Sequence, residues 1–128
     1  MIATTNITRL GTVLLRVGDV DRAVDFYVGG LGFEKGLDAD YGGGNRWVEV
    51  SPPGAATTLA LVPATDADPA GHGTEVSLAS RDAAADHANL LARGVDIDAA
   101  MIQMGPGVPP MFRFRDGDGN RFRVVERA

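Results

Sequence analysis

The two halves of this chain carry the same landmarks in the same order. The landmarks are a glycine before an apolar residue (Gly32 and Gly94), an aspartate before a helix pattern (Asp19 and Asp82) and the start of a strand pattern (Trp47 and Met111). Their spacings are 62, 63 and 64 residues, a regularity that unrelated segments rarely share. The chain is therefore predicted to fold as two copies of one structural unit.

The first copy has the pattern of a strand, a helix and three further strands. Thr12–Val17 is rich in β-branched and apolar residues, which favours a strand. Asp19 or Asp21 can cap the following helix, whose apolar stripe ends at Leu31. The remaining predicted elements are a short strand after Gly32, a loop over 38–45 and strands over 46–51 and 57–62. The predicted order is βαβββ.

The second copy begins after a polar stretch that contains proline and glycine. A strand pattern over 75–79 and a helix pattern over 83–93 follow it, and Ser80 or Asp82 can cap this helix. The predicted divisions are a single domain over 1–128, modules over about 8–63 and 74–127, and a linker over about 64–73.

The clearest predicted hairpin lies over Met111–Glu126. Apolar and basic residues alternate on both sides of the turn sequence DGDGN, which is the period-two pattern of two half-buried strands. Asp, Gly and Asn supply the conformations that a tight reversal needs. The turn also resembles the start of a calcium loop, but Arg121 stands where such a loop requires glycine. We therefore interpret DGDGN as a plain turn.

Bulk composition narrows the possible functions. The chain has 128 residues, of which 45% are hydrophobic and 23% charged, and this suits one globular domain with a substantial core. A net charge of −5 gives no electrostatic footprint for nucleic acid or an anionic membrane. No segment approaches the roughly 20 apolar residues of a membrane span, and there is no cysteine for disulfides or thiolate sites. We expect a cytoplasmic protein that binds neither nucleic acid nor membrane.

Three stretches resemble one protein family. They are V-x-D-V-D-R-A-x-x-F-Y-x-x-x-L-G-F at 17–33, RWVEVSPPG at 46–54 and F-R-D-x-D-G-N-R-F at 114–122. Together they are similar to the vicinal oxygen chelate (VOC) superfamily, which includes glyoxalase I, bleomycin resistance proteins, extradiol dioxygenases and epimerases. The resemblance implies an α+β fold in which two tandem βαβββ modules form an incomplete mixed β-barrel around a concave site. It also implies a homodimer.

The family's usual metal site takes one residue from the first and last strand of each module. The matching positions here are Thr12, Ala60, Glu75 and Arg123, and each equivalent pair is separated by 63 residues. Only Glu75 is a usual ligand, and Arg123 would place a permanent positive charge where the metal belongs. We therefore expect no metal and no other cofactor, and we predict an ion pair between Glu75 and Arg123.

The two histidines do not supply a replacement metal site. His72 lies in the predicted linker and His87 in the predicted second helix, so neither stands at a strand end. No triad of two histidines and one carboxylate can be assembled from strand-end positions. We interpret His72 as a solvated loop residue and His87 as a helix residue at the edge of the apolar stripe.

Strand alternation sorts the remaining residues by face. The face predicted to pack under the helices carries Val13, Leu15, Val17, Val48, Val50, Leu59, Leu61, Val76, Leu78, Phe112, Phe114, Phe122 and Val124. The face predicted to line the concavity carries Thr12, Leu14, Arg16, Trp47, Glu49, Thr58, Ala60, Glu75, Ser77, Met111, Arg113 and Arg123. This second set mixes apolar area with charge, which suits a medium-sized organic ligand. The alternative is that its charges pair with one another and fill the barrel.

Two functional hypotheses follow. The first is a metal-independent binder that holds a small organic molecule at a dimer interface, as in the bleomycin resistance branch. Its predicted ligand-binding residues are Thr12, Trp47, Glu49, Glu75, Met111, Arg113 and Arg123. The second is an enzyme, such as a lyase or dioxygenase, with a non-standard or metal-free site and Glu75 or Glu49 as its base. An arginine beside Glu75 would stabilise its charged form and weaken it as a base.

Overall fold

The computed structural model describes residues 5–73 and 75–127 and contains two four-stranded sheets. The elements of the first half are β1 (Thr12–Val17), α1 (Val20–Val24), a π-helical turn (Asp25–Gly30), β2 (Glu34–Asp40), β3 (Arg46–Ser51) and β4 (Thr58–Pro63). Those of the second half are β5 (Val76–Ser80), α2 (Ala83–Ala92), β6 (Asp96–Ile97), β7 (Met111–Arg115) and β8 (Arg121–Glu126).

The two sheets share one topology. The first has the strand order β1-β4-β3-β2 and the second has β5-β8-β7-β6, with the first strand of each parallel to the last. The helix that follows each first strand makes this parallel crossover possible. The sheets are open rather than closed. The shared topology confirms the predicted α+β fold with two βαβββ units.

Of the candidates that the sequence offers for each helix cap, Asp19 and Asp82 are the caps in the structure. The Asp19 carboxylate accepts a hydrogen bond from the backbone N–H of Arg22 at 3.1 Å, and Asp82 accepts from Ala85 N–H at 3.0 Å. Each bond satisfies a backbone donor that has no partner inside the first helical turn. The caps are equivalent in structure as well as in sequence position.

The predicted loop over 38–45 is wrong in its first part, because β2 extends to Asp40. Asp38 pairs with Val48 and Asp40 with Arg46 across the strands. Since β2 is an edge strand, it needs no apolar alternation. The Asp38 carboxylate binds Lys35 at 2.9 Å and Arg46 at 3.3 Å instead. Lys35 and Asp38 flank an irregularity in the ladder, which further hides the strand pattern.

The core lies between the helices and one face of each sheet, as the alternation predicts. Every residue of the predicted core face is buried except Val13, Val76 and Leu78, which are partly buried and pack against the same cluster. Aromatic rings connect the two halves. Phe114 and Phe122 stack at 4.9 Å between ring centroids, and Tyr27 lies 5.9 Å from Phe122.

The DGDGN turn is more than a reversal between β7 and β8. Asp116 and Asn120 are each only 5% exposed. Asp116 accepts hydrogen bonds from the backbone of Asp118 and Asn120, from the Asn120 side chain and from the hydroxyl of Tyr27 in the first half. Burial raises the pKa of Tyr27, and the Asp116 carboxylate raises it further. The turn therefore connects the two halves through a buried polar network, since its carboxylate points into the protein.

The same turn is attached to β1 and to the segment between the halves. The Asn120 amide donates to the carbonyl of Arg16 at 3.0 Å and accepts from Gly71 N–H at 3.2 Å. Asp118 accepts from Gly18 N–H at 2.9 Å.

None of the helices in the described part of the chain has the length and apolar character needed to span a bilayer.

Candidate functional site

The predicted site residues form two groups, one on each sheet, on the faces that point away from the helices. We define the first open face as Thr12, Leu14, Trp47, Glu49, Thr58 and Ala60, and the second open face as Glu75, Ser77, Met111, Arg113 and Arg123. Arg16, which was also predicted on the first of these faces, forms an ion pair with Asp68 at 3.5 Å at the end of β1, so its charge is offset there. Within the described residues, no hydrogen bond or ion pair joins one face to the other.

Glu49 is the centre of a hydrogen-bond network on the first open face. Its two carboxylate oxygens accept separately from the Trp47 indole N–H and from the Thr58 hydroxyl, each at 2.8 Å. The Thr58 hydroxyl is in turn 2.8 Å from that of Thr12. These bonds hold the Glu49 carboxylate and the Trp47 ring in one arrangement without a positive partner. Leu14 beside them is 45% exposed, so the face is partly apolar.

Ala60 does not belong to the accessible part of this face, because it is fully buried. It lies between Leu14 on β1 and Glu49 on β3 in the strand register. A methyl side chain between two longer neighbours is covered by them. Alternation placed Ala60 on the correct side of the sheet but could not show its burial.

Glu75 and Arg123 form the predicted ion pair on the second open face. The Arg123 guanidinium donates from Nε at 3.0 Å and from Nη2 at 3.4 Å to the two oxygens of Glu75. Two parallel bonds of this kind fix both side chains in orientation as well as in distance. The side chains are 31% and 30% exposed. Glu75 itself lies one residue before β5, which begins at Val76 and not at Glu75 as predicted.

A second arginine approaches the same carboxylate. Arg113 Nε is 3.8 Å from Glu75 Oε1, and Arg113 lies directly opposite Arg123 in the β7–β8 ladder. Like charges in this position repel each other, so Glu75 between them offsets the repulsion. Arg123 also reaches the sulfur of Met111 at 3.6 Å. Two guanidinium groups and one carboxylate leave one net positive charge on this face.

The four positions that the resemblance assigns to a metal do not fit a divalent ion. Ala60 has no donor atom, Thr12 binds Thr58, and both oxygens of Glu75 are bound to the guanidinium of Arg123. A first-row metal needs about three or four donors among imidazole, carboxylate and thiolate. Among the described residues, no three such side chains come together elsewhere. The residues at these four positions therefore do not suit a divalent metal, and we assign no metal-dependent chemistry to them.

The histidines occupy the places that the sequence suggests. His87 is buried on α2, where its Nε2 lies 2.8 Å from the carbonyl oxygen of Asp98 and its ring meets Phe112 edge-on. His72 is an exposed residue of the segment between the halves. His87 thus contributes to packing, with its polar atom satisfied by backbone.

The two candidate bases are both engaged. Each oxygen of Glu75 accepts one hydrogen bond from Arg123, and the two oxygens of Glu49 accept one each from Trp47 and Thr58. About half of the acceptor sites of each carboxylate are therefore in use, and a general base would have to reach the proton that it removes with one of the remaining sites. The part that Thr58 plays in orienting Glu49 was not predicted from the sequence. The signal was present, because Thr58 lies on the predicted open face, but the register that brings the two together could not be read.

Sequence comparison assigns the family. The model of the Glyoxalase/Bleomycin resistance protein/Dioxygenase superfamily matches residues 9–124. The chain belongs to this superfamily. Its fold agrees with that of a superfamily member from Sphaerobacter thermophilus, which is 35% identical with a TM-score of 0.84 over 94% of this chain and 98% of that one.

Two further relatives of this superfamily chain cover nearly its whole length. The antibiotic binding protein TnmS3 from Streptomyces sp. CB03234 is 31% identical, with a TM-score of 0.83 over 98% of this chain and all of TnmS3. YetH from Bacillus subtilis (strain 168) is 30% identical over 125 residues, which are 94% of this chain and 99% of YetH.

Proposed function

We propose that this VOC protein binds a small organic molecule without a metal, between the open faces of two copies of the chain. The observation that carries the proposal is the bidentate pair of Glu75 and Arg123. It places a guanidinium at one metal-ligand position and engages the only usual ligand at another. The similarity to TnmS3, an antibiotic binding protein, supports the binding function.

The open faces offer the chemistry that such a ligand needs. Trp47 and Leu14 on the first face and Met111 on the second supply apolar area, while Glu49 and Arg113 supply fixed polar groups. Ligand sites commonly combine mostly apolar walls with a few polar groups that set orientation. A planar organic molecule with polar substituents fits this combination.

A homodimer would bring the two kinds of face together. In a single chain both faces are accessible, with Leu14 45% and the Arg113 side chain 47% exposed. The first face has the carboxylate of Glu49 without a cationic partner, and the second has one net positive charge. Opposite charges favour contact between the first face of one copy and the second face of another. The ligand would then lie between two faces rather than on one.

A thermal-unfolding screen with antibiotics and aromatic metabolites tests the binding function. A ligand at about 100 times its dissociation constant adds roughly 2.7 kcal/mol to stability, which raises the melting temperature measurably. We expect Trp47→Ala to abolish the shift of any hit and Tyr41→Ala, a change at a 70% exposed aromatic residue outside the open faces, to preserve it. Equal loss in both variants would contradict the proposed site.

Light scattering tests the dimer. Leu14→Glu adds a second negative charge to the first open face and should yield monomers, whereas Leu91→Glu on the exposed side of α2 should remain dimeric. A monomeric native protein would remove this part of the proposal.

The enzyme alternative is tested by metal analysis. Stoichiometric zinc, nickel, iron or manganese that is lost in Glu75→Gln would replace the binding function with a metal-dependent one.

A further inference from the structure

A cavity of about 380 Å³ lies on the opposite side of the second sheet from Arg123. The residues that line it include the buried apolar side chains of Phe114 and Val124 from the core face of the sheet and Leu90 from α2. Alternation separates Phe114 and Val124 from Arg113 and Arg123, which precede them in sequence but point to the open face. The volume falls within the range of small-molecule sites. The cavity is therefore separate from the proposed dimer site.

One wall of the cavity is the free edge of β5. The carbonyl of Ser80 accepts a hydrogen bond from Arg127 at the end of β8, so the backbone groups of Ser80 face β8. In a parallel pair successive residues face opposite sides, so the N–H and C=O of Ala79 point away from β8. Within the described residues β5 has no other strand neighbour, and Ala79 lines the cavity. The backbone N–H and C=O of Ala79 are thus available together to hydrogen-bond an occupant of the cavity.

Another part of the cavity wall is the end of the π-helical turn, at Gly29 and Gly30. Neither glycine has a positive φ, and an added Cβ would meet nothing at Gly29 and only an ordinary contact at Gly30. Neither backbone conformation nor packing within the chain requires glycine here, although glycine weakens helical structure. The absence of side chains at these positions leaves the wall open, and π-helical turns are frequent at functional sites.

The charged groups at the rim balance each other. Arg93 donates to the carbonyl of Gly30 at 2.8 Å, and Asp86 accepts from the Ser80 hydroxyl at 2.5 Å. One guanidinium and one carboxylate give no net charge, so the rim favours a neutral occupant over an ion. Asn89 adds an uncharged amide to the same rim.

We propose that this cavity binds a small neutral molecule that carries an amide group on an apolar body. The amide N–H and C=O would pair with the C=O and N–H of Ala79, as a neighbouring strand residue does. The apolar body would lie on Phe114, Val124 and Leu90. This second site is independent of the dimer and of any ligand on the open faces.

Titration of the ¹⁵N-labelled full-length protein with N-acetyl-L-phenylalanine amide tests the proposal by NMR. We expect saturable shifts of the Ala79, Gly29 and Gly30 amide signals, with a dissociation constant of about 1 mM or lower. Methyl 3-phenylpropionate, which has a similar apolar body but no amide, should bind at least about tenfold more weakly. Equal binding of the ester would overturn the assigned ligand class, and the absence of saturable shifts would overturn the site.

Matched variants on α2 locate the binding. Asn89→Trp places a large side chain at the cavity rim and should weaken binding of the capped amino acid at least about tenfold. Ala88→Trp introduces the same side chain at the neighbouring exposed position, outside the cavity, and should leave binding unchanged. An equal effect of both variants, or shifts confined to Trp47 and Arg113, would overturn the site.

Discussion

The hydroxyl of Tyr27 donates a 2.7 Å hydrogen bond to the carboxylate of Asp116, although 89 residues separate them. Tyr27 is fully buried on the π-helical turn of the first half, and Asp116 is buried in the closing turn of the second. A buried carboxylate that lacks hydrogen-bond donors destabilises the folded state. Because one of the donors to Asp116 comes from the first half, the stability of the closing turn depends on the folding of both halves.

Removal of the Tyr27 hydroxyl should destabilise the protein while the ring packing is kept. We expect Tyr27→Phe to lower the free energy of unfolding by about 1 to 3 kcal/mol, because Asp116 loses a buried donor. Urea denaturation measures the difference. Tyr41→Phe, at a 70% exposed position, is the control and should change stability by less than about 0.5 kcal/mol. Equal effects of the two substitutions would show that the bond contributes nothing.

Gly71 is required where the segment between the halves meets the closing turn. Its φ is +77°, and a Cβ would lie 2.5 Å from the carbonyl oxygen of Asp118. Gly71→Ala should therefore destabilise by about 1 to 3 kcal/mol. Gly73→Ala, two residues away with open space around its Cβ, should have little effect. Thermal unfolding of the two variants compares them directly, and similar melting temperatures would contradict the contact.

The ion pair on the second open face should matter more than an exposed one. We expect Arg123→Ala to destabilise by about 1 to 3 kcal/mol, because it leaves Glu75 partly buried with only the longer 3.8 Å contact to Arg113. Lys35→Ala, which breaks a more exposed pair with Asp38, should lower stability by less than Arg123→Ala does. Chemical denaturation at low and high salt measures both, and a smaller loss for Arg123→Ala would refute the ranking.

Acid should weaken the pairing between β6 and β7. The hydrogen bond from Arg115 holds the pKa of Asp96 below its ordinary value of 3.8. A carboxyl with a lowered folded pKa adds stability above its unfolded pKa and loses it as the pH falls through the folded value. Asp96→Asn should therefore flatten the decline of stability below pH 3.8. Asp66→Asn, at a position without an ion pair among the described residues, should leave the decline unchanged. Equal slopes for Asp96→Asn and the native protein would contradict the linkage.

The local elements were predictable because their signals are local. Asp19 and Asp82 are caps within three residues of the N–H groups that they bind. The alternation at 111–126 sets which side chains enter the core. β2 was partly missed because an edge strand held by Lys35, Asp38 and Arg46 carries no apolar pattern.

The candidate site was only partly predictable. The internal repeat aligned Glu75 with Thr12 and Arg123 with Ala60. The family resemblance placed Glu75 and Arg123 at two ligand positions of one module, and their opposite charges then predicted the pairing. The approach of Arg113 depends on its register opposite Arg123, and the orientation of Glu49 depends on Thr58 of the neighbouring strand. Register is set by the packing of whole strands, which single-residue patterns do not contain.

The sequence by itself determined the duplicated βαβββ order, the candidates for the helix caps and the core faces, and the family resemblance added the four positions whose residue types suit a metal poorly. Periodicity and residue chemistry are properties of short segments, so they can be recognised without knowledge of the tertiary structure. Only the tertiary structure decided that Tyr27 meets Asp116, that Ala60 is covered and that Gly29 and Ala79 line the same cavity. These relations join segments far apart in the chain, and packing of the shared core sets their distances.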